Sequence, residues 1–358
     1  METIIFKMGS GEKDCDTMEK AAEIIKNGGL VAFPTETVYG LGADAGNPEA
    51  AKKIYAAKGR PSDNPLIVHI AEMKDLNVVS EHVPKEALLL AEAFWPGPLT
   101  MIVKKSGAVP YETTGGLDTV AVRMPGHPMA LELIRKSGCL IAAPSANASG
   151  RPSPTLASHV ADDLRGRIPL ILDGGEVGIG IESTIIDLTE EEPMILRPGY
   201  VTESMIRSVI GRVRTDPGIL DKDPAARPKA PGMKYRHYAP RADLIIVEGA
   251  RDAVVKKVNE LTEEMRKEGR RVGVIGTDET VPLYVGDMVL SIGAREDEEA
   301  IAKHLYRILR EFDEGDTDII YSESFAAPGI GQAIMNRLFK AAGHQTLRAE
   351  KCGGNEIV

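Results

Sequence analysis

Leu30-Val31-Ala32-Phe33-Pro34-Thr35-Glu36-Thr37-Val38-Tyr39-Gly40-Leu41-Gly42 joins two kinds of sequence. Its first four residues read as a short buried strand, and the rest as a turn rich in hydroxyls and glycine. Open α/β sheets place their ligands at the C-terminal ends of strands. This junction therefore predicts both a layered α/β fold and one edge of a site.

The same grammar extends outward in both directions. Upstream, Thr17 can cap a helix running to about Asn27, with Ala21, Ala22, Ile24 and Ile25 apolar and Gly28-Gly29 as its stop. Downstream, Pro48 opens a helix through Ile54 and Tyr55 that ends on Lys58-Gly59-Arg60-Pro61, and the apolar run Leu66-Ile67-Val68 reaches His69. A helix at about 85–94 precedes Trp95-Pro96-Gly97-Pro98 and a strand at 99–103. Further strands are expected at 120–123, 140–143, 170–172, 183–188 and 194–197, and helices near 128–137, 155–165 and 202–211. So many short strands mixed with helices predict one large, twisted, mixed sheet with flanking helices over residues 1–212.

From 243 to 345 the alternation is more regular, with strands at 244–247, 272–276, 288–292 and 318–321 and helices at 251–268, 296–313 and 331–341. That pattern predicts a smaller Rossmann-like α/β domain. Residues 346–358 read as a tail. Gly329-Ile330-Gly331 after its last strand looks like half of a dinucleotide fingerprint, but the third glycine is missing.

Between the domains, residues 213–242 are chemically unusual. The chain carries a net charge of −10, made up of −7 before the connector, +4 within it and −7 after it. Lys229-Ala-Pro-Gly-Met-Lys-Tyr-Arg-His-Tyr-Ala-Pro240 combines cations and aromatics between prolines that keep it out of a helix. Two readings stay open: a flap over a polyanionic ligand, or electrostatic docking on acidic neighbours.

Bulk composition narrows the class. Apolar content of 43% and charged content of 27% describe a soluble globular protein, expected to be cytoplasmic. No apolar run approaches a membrane span. Three scattered cysteines, Cys15, Cys139 and Cys352, offer neither a disulfide framework nor a zinc knuckle, so no protein-held metal is expected.

Candidate chemistry gathers near strand ends. Lys58, Arg60, Ser62 and Asn64 could clamp phosphates, or the two cations could simply favour a helix C-terminus. Ser145, Asn147, Ser149, Arg151 and Ser153 leave a strand at Ala142-Ala143, in what could equally be a loop of turn formers. Thr35, Thr37, Thr119, Arg123, Ser183, Thr184 and Arg197 continue the pattern. Hydroxyls and fixed cations on one sheet suit an anionic, oxygen-rich ligand. His69 reads as a core histidine, and Asp162-Asp163 and Glu190-Glu191-Glu192 as solvated charge. There is no P-loop, nucleophile elbow or closely spaced carboxylate pair.

Taken together, Pro34-Thr-Glu-Thr-Val-Tyr-Gly-Leu41, Lys58-Gly-Arg-Pro61, Trp95-Pro-Gly-Pro-Leu-Thr100, Val122-Arg-Met-Pro125, Pro144-Ser-Ala-Asn-Ala-Ser-Gly150, Glu182-Ser-Thr184 and Ile195-Leu-Arg-Pro-Gly199 resemble the YrdC-like family of threonylcarbamoyl-AMP synthases. With the connector and second α/β domain, the chain resembles the family's long form. The resemblance implies that L-threonine, bicarbonate or CO2, and ATP give threonylcarbamoyl-AMP and pyrophosphate, with Mg2+ accompanying ATP. The product then serves a threonylcarbamoyl-transferase machinery acting on tRNA; direct contact with tRNA is left open.

By resemblance the catalytic signature falls on Lys58, Arg60, Ser145 and Asn147. Threonine contacts fall on Thr35, His69, Arg123, Ala143 and Ser183. Nucleotide contacts fall on Lys58, Ser62, Thr119, Ser145, Ser153, Arg197, Tyr235, Arg236 and His237. Two rivals are a double-stranded RNA or tRNA-binding module without adenylation activity, against which an expected lack of exposed aromatic stacking residues in residues 1–212 counts, and a carbamoyl-transfer domain of metallocentre maturation.

Overall fold

The computed structural model describes residues 1–7, 9, 12–217, 238–325 and 328–349. These fall into two compact units, one formed by residues 1–149 with 153–217 and the other by 150–152 with 238–349.

The first unit is built on eleven strands: β1 (Ile4–Lys7), β2 (Val31–Phe33), β3 (Gly40–Asp44), β4 (Ile67–His69), β5 (Leu99–Lys104), β6 (Thr119–Arg123), β7 (Ile141–Ala143), β8 (Leu170–Asp173), β9 (Thr184–Asp187), β10 (Met194–Arg197) and β11 (Arg214–Thr215). They lie in the order β1-β8-β2-β3-β7-β4-β6-β5-β9-β10-β11. The sheet is mixed: β4 and β6 run parallel, whereas β5 is antiparallel to β6 and parallel to β9. The helices are α1 (Glu12–Lys26), α2 (Pro48–Lys58), α3 (Leu76–Val79), α4 (Lys85–Phe94), α5 (Pro128–Ser137), α6 (Ala157–Leu164) and α7 (Glu203–Ile210).

α2 forms where its punctuation says it should. Asn47 Oδ1 accepts from the backbone N–H of Glu49 and Ala50, Pro48 sits in the first turn, and Gly59 closes the helix at φ 65°. Its apolar face, Ala50, Ala51, Ile54 and Tyr55, enters the main core with alternate residues of β4 to β6 such as Val68, Met101, Val103, Val120 and Val122. A second cluster, under α1 and α5, takes Met18, Ala21, Ile25, Leu133 and Ile134 against Val31, Phe33, Ile141 and Leu172.

Several expectations need correction. Thr17 does not cap α1; it lies in its second turn with a buried side chain, because nothing between residues 12 and 17 breaks the helix. Gly40 to Gly42 belong to a strand rather than a turn. A Cβ on Gly42 would stand 2.7 Å from both Ile141 Cγ2 and Phe33 Cε1, so the glycine is there for close packing of β3. The sheet also runs past residue 212, since β11 pairs with β10 through Met194 and Ile195.

The second unit holds β12 (Asp243–Glu248), β13 (Val272–Gly276), β14 (Met288–Ser291), β15 (Ile319–Glu323) and β16 (Thr346–Arg348), with helices α8 (Arg251–Lys267), α9 (Glu298–Glu314) and α10 (Ile330–Ala341). All its pairings are parallel, in the order β14-β13-β15-β12-β16, as a Rossmann-like pattern requires. β16 lies in the stretch read as a tail; it adds to β12 through Ile246 to Glu248. The half fingerprint does not leave α10 open, because the N–H of Gly331 donates to Glu298 Oε2 at 3.0 Å.

Candidate active site

The two faces of the first sheet are different. Along β4, β5, β6, β9 and β10 one set of alternate side chains fills the main core, and the opposite set gives a separate cluster of Ile67, Ile102, Ala121, Ile185 and Leu196. That cluster is made of strand side chains alone and forms an apolar floor. By the period-2 rule His69, Thr100, Thr119, Arg123 and Ser183 project on the same side. A register irregularity between Ile195 and Arg197 pairs Arg197 with Ile185, which turns its side chain to that face too.

At one end of the floor, His69 and Arg123 are register partners on the parallel strands β4 and β6. Arg123 is buried, and its guanidinium is fixed on three sides. Nε donates to Gly97 O at 3.2 Å, Nη1 to Thr37 Oγ1 at 3.0 Å, and Nη2 to Glu36 Oε1 at 2.6 Å. Burial pushes the Glu36 carboxyl up, but Arg123 outweighs it and the group is held below its ordinary value. His69 is pushed down to about 3 by burial, aided by the Arg123 charge, and is neutral at physiological pH. Its Nδ1 lies 3.1 Å from Ile67 O.

Thr35 closes the other side of this corner. Its hydroxyl donates to Val38 O at 2.6 Å, accepts from the N–H of Thr37 and Val38, and lies 2.8 Å from Thr37 Oγ1. This turn already uses the hydroxyl, so the side chain shapes the loop.

A second polar chain crosses the floor. Thr100 Oγ1 and Ser183 Oγ are 2.7 Å apart, and Arg197 donates from Nη2 to Ser183 Oγ at 3.2 Å and from Nε to Ser183 O at 3.0 Å. Thr119, at the start of β6, stands about 13 Å from Arg123 at four residues of strand rise. It lines a cleft with Lys104 and Lys105. Arg123 and Thr119 thus stand at opposite ends of β6 on the same side.

The Lys58 group has an architecture the sequence did not reveal. Lys58 is 3% exposed, and its ammonium donates to Ser145 O and Asn147 O at 2.5 Å each, with Asn147 Oδ1 at 3.3 Å. Ser145 donates to Asn147 Oδ1 at 2.5 Å. Lys58 therefore pins the loop after β7 to the end of α2. Arg60 likewise turns inward, donating to Asn64 O and Pro65 O, while Ser62 is exposed. Ser153 is fully buried and donates to Glu182 Oε1 at 2.5 Å. The Ala143 methyl packs in the second core cluster. Tyr235, Arg236 and His237 lie outside the described residues.

Two family models cover most of the chain. Residues 23–199 match the Sua5/YciO/YrdC model, described as "Telomere recombination", and residues 201–343 match the model "Threonylcarbamoyl-AMP synthase, C-terminal domain". The chain is 52% identical over 331 residues to the threonylcarbamoyl-AMP synthase of Pyrococcus abyssi, covering 92% of this chain and 94% of the relative. The chain belongs to the threonylcarbamoyl-AMP synthase family.

Other members agree. The Bacillus subtilis threonylcarbamoyl-AMP synthase is 52% identical over 330 residues, with 92% of this chain and 94% of the relative covered. The crystal structure of P. abyssi Sua5 complexed with L-threonine superposes with a TM-score of 0.91 at 49% identity, covering 98% of this chain and all of the other.

Set against family membership, the sequence reading missed residues that hold the site together. Glu36 and Thr100 sit inside recognised motifs and were not singled out, and although Thr37 was among the strand-end hydroxyls, nothing in their spacing shows that Glu36 and Thr37 bind Arg123 or that Thr100 meets Ser183. Asp163 was read as solvated; it is 7% exposed and accepts from the N–H of Ala148 at 3.0 Å, fixing the Ser145 loop. Tyr111 is an exposed aromatic in a region expected to lack them, but it is engaged by Lys105 over its ring and by Asp118 at its hydroxyl.

Proposed function

We propose that this chain makes threonylcarbamoyl-AMP and pyrophosphate from L-threonine, CO2 or bicarbonate, and ATP, supplying the threonylcarbamoyl group for adenosine modification in tRNA. Besides family membership, one observation supports this reading: buried Arg123 and Arg197 flank a hydroxyl-lined apolar floor. That arrangement suits a small anionic acid placed beside a nucleotide.

The threonine amine, in its neutral form, attacks CO2 and loses a proton to give a carbamate. A carbamate oxygen then forms a bond to the α-phosphorus while the bond from that phosphorus to its bridging oxygen breaks, and pyrophosphate leaves with the electron pair. Because the carbamate arrives ionised, the second step asks for no side-chain base, and the neutral His69 fits that. The work left to the protein is alignment of two anions against fixed cations and donors.

Arg123 would hold the threonine end and Arg197 the nucleotide end. Lys58 would act by holding the Ser145–Asn147 loop in shape. Mg2+ would ride on the phosphate oxygens and neutralise charge there; the hydroxyl and cationic side chains of the floor offer it no ligand cage, which suits an ion that keeps its waters.

Pyrophosphate release from ATP in the presence and absence of threonine and bicarbonate tests the proposal. Release that requires both is expected. Release indifferent to threonine, or none at all in folded protein, overturns it.

A further inference from the structure

The Arg123–Glu36 pair is half used. Glu36 Oε1 takes Arg123 Nη2 at 2.6 Å, but Glu36 Oε2 is buried without any hydrogen-bond partner. If Glu36 existed only to steady Arg123, one oxygen would do, and the other would be a buried acceptor left without a hydrogen bond. The carboxylate is nevertheless held firmly in place. Its backbone carbonyl accepts from Ile179 N at 2.8 Å, and the backbone of Gly126 passes so close that a Cβ there would stand 3.4 Å from Glu36 Cδ.

Among the described residues, no second cation answers that oxygen. The neighbouring His127 uses its Nδ1 as an acceptor for Met129 N at 3.2 Å, so that nitrogen carries no proton, and burial lowers its pKa. His69 is neutral. The cation that would complete this pairing can come from the ligand.

We propose that Glu36 is a substrate-binding residue whose Oε2 takes the α-ammonium of the amino-acid substrate while Arg123 faces its carboxylate. Three of the five guanidinium donors of Arg123 are committed to Gly97, Thr37 and Glu36. That leaves two for an incoming anion. A fixed Arg–Glu pair is the electrostatic complement of a zwitterion, with cation against carboxylate and anion against ammonium, and it discriminates against acids that lack the amine. The contact also survives the first chemical step, since the carbamate nitrogen keeps one N–H to donate to Oε2.

The inference rests on threonine being the substrate, and the experiment separates the two. Calorimetry on the full chain measures binding of threonine, of its deamino analogue 3-hydroxybutanoate, and of 2-aminobutanoate, which lacks the side-chain hydroxyl. Threonine binding by the unaltered protein is the control for the functional reading; its absence overturns that reading and this inference with it. Glu36→Gln should weaken threonine and 2-aminobutanoate by about 10- to 100-fold and leave the deamino analogue within about twofold.

Equal losses for all three ligands would make Glu36 only a prop for Arg123 and overturn the proposal. A loss confined to the two hydroxylated ligands would mean that Glu36 reads the hydroxyl, which also overturns it, as does unchanged threonine binding. If Glu36→Gln fails to fold, Glu36→Asp keeps the charge beside Arg123 and withdraws Oε2 by one methylene. The same ligand-selective loss is then expected, and its absence sinks the proposal.

Discussion

Lys58 shows what a residue-scale reading can and cannot give. Its place in Lys58-Gly59-Arg60-Pro61 marks it as important, and both sequence readings, phosphate clamp or helix-end charge, put its ammonium in solvent or against a ligand. The structure instead buries it against two backbone carbonyls of the Ser145–Asn147 loop. Truncation is therefore not cheap. Lys58→Met keeps most of the stem and removes the donor, leaving buried acceptors unmet, and should cost on the order of 3 kcal/mol in urea unfolding as well as synthase activity. A folded variant with unaltered stability would return Lys58 to the surface-charge reading. Buried-versus-exposed is what the sequence could not state here: a lysine after an apolar helix looks the same in either case, and its partners lie 87 and 89 residues away.

At the scale of elements, the strands and helices whose signals are local were legible, including both caps of α2, the β4 run and the parallel second sheet. Those that depend on a distant neighbour were not. β3 was hidden by glycines that serve packing, and β11 and β16 by being too short to carry a period. Gly199, in the turn between β10 and α7, is of the same kind. A Cβ there would lie 2.4 Å from Thr184 N and 2.8 Å from Ser183 C, both backbone atoms that cannot swing aside. Gly199→Ala should thus push the turn off the start of β9, costing about 1–3 kcal/mol and loosening the Arg197–Ser183–Thr100 chain. Gly107→Ala is the control, since no atom lies within 4 Å of its added Cβ. Urea midpoints and threonine-dependent turnover of the two variants decide it: equal behaviour would mean that the Gly199 approach carries no function.

At the scale of the whole molecule, among the described residues, the clusters under α2, under α1 and on the floor draw on residues up to Val213, and the cluster of Val247, Val258, Val274 and Tyr321 draws on residues from Ile245 onward. Each unit therefore has its own core, and each should fold when expressed alone. The expected boundary of 212 would cut too early. Residues 213–217 bring buried Val213, the β11 pairing, Asp216 N to Ile195 O at 2.9 Å and Thr215 Oγ1 to Glu203 Oε2 at 2.7 Å. A fragment of residues 1–217 should give one cooperative transition, and 1–212 should be weaker by about 1–3 kcal/mol. Because Glu36, His69, Arg123 and Ser183 all lie within it, 1–217 should bind threonine as the full chain does. It should nonetheless lose most of its pyrophosphate release, since it lacks the one net-positive stretch of the sequence, which by resemblance carries Tyr235, Arg236 and His237 to the nucleotide. Calorimetry and the pyrophosphate assay on 1–217, 1–242 and the full chain separate the cases. Recovery in 1–242 assigns the missing work to the connector, recovery only in the full chain assigns it to the second unit, and full activity in 1–217 removes both from the reaction.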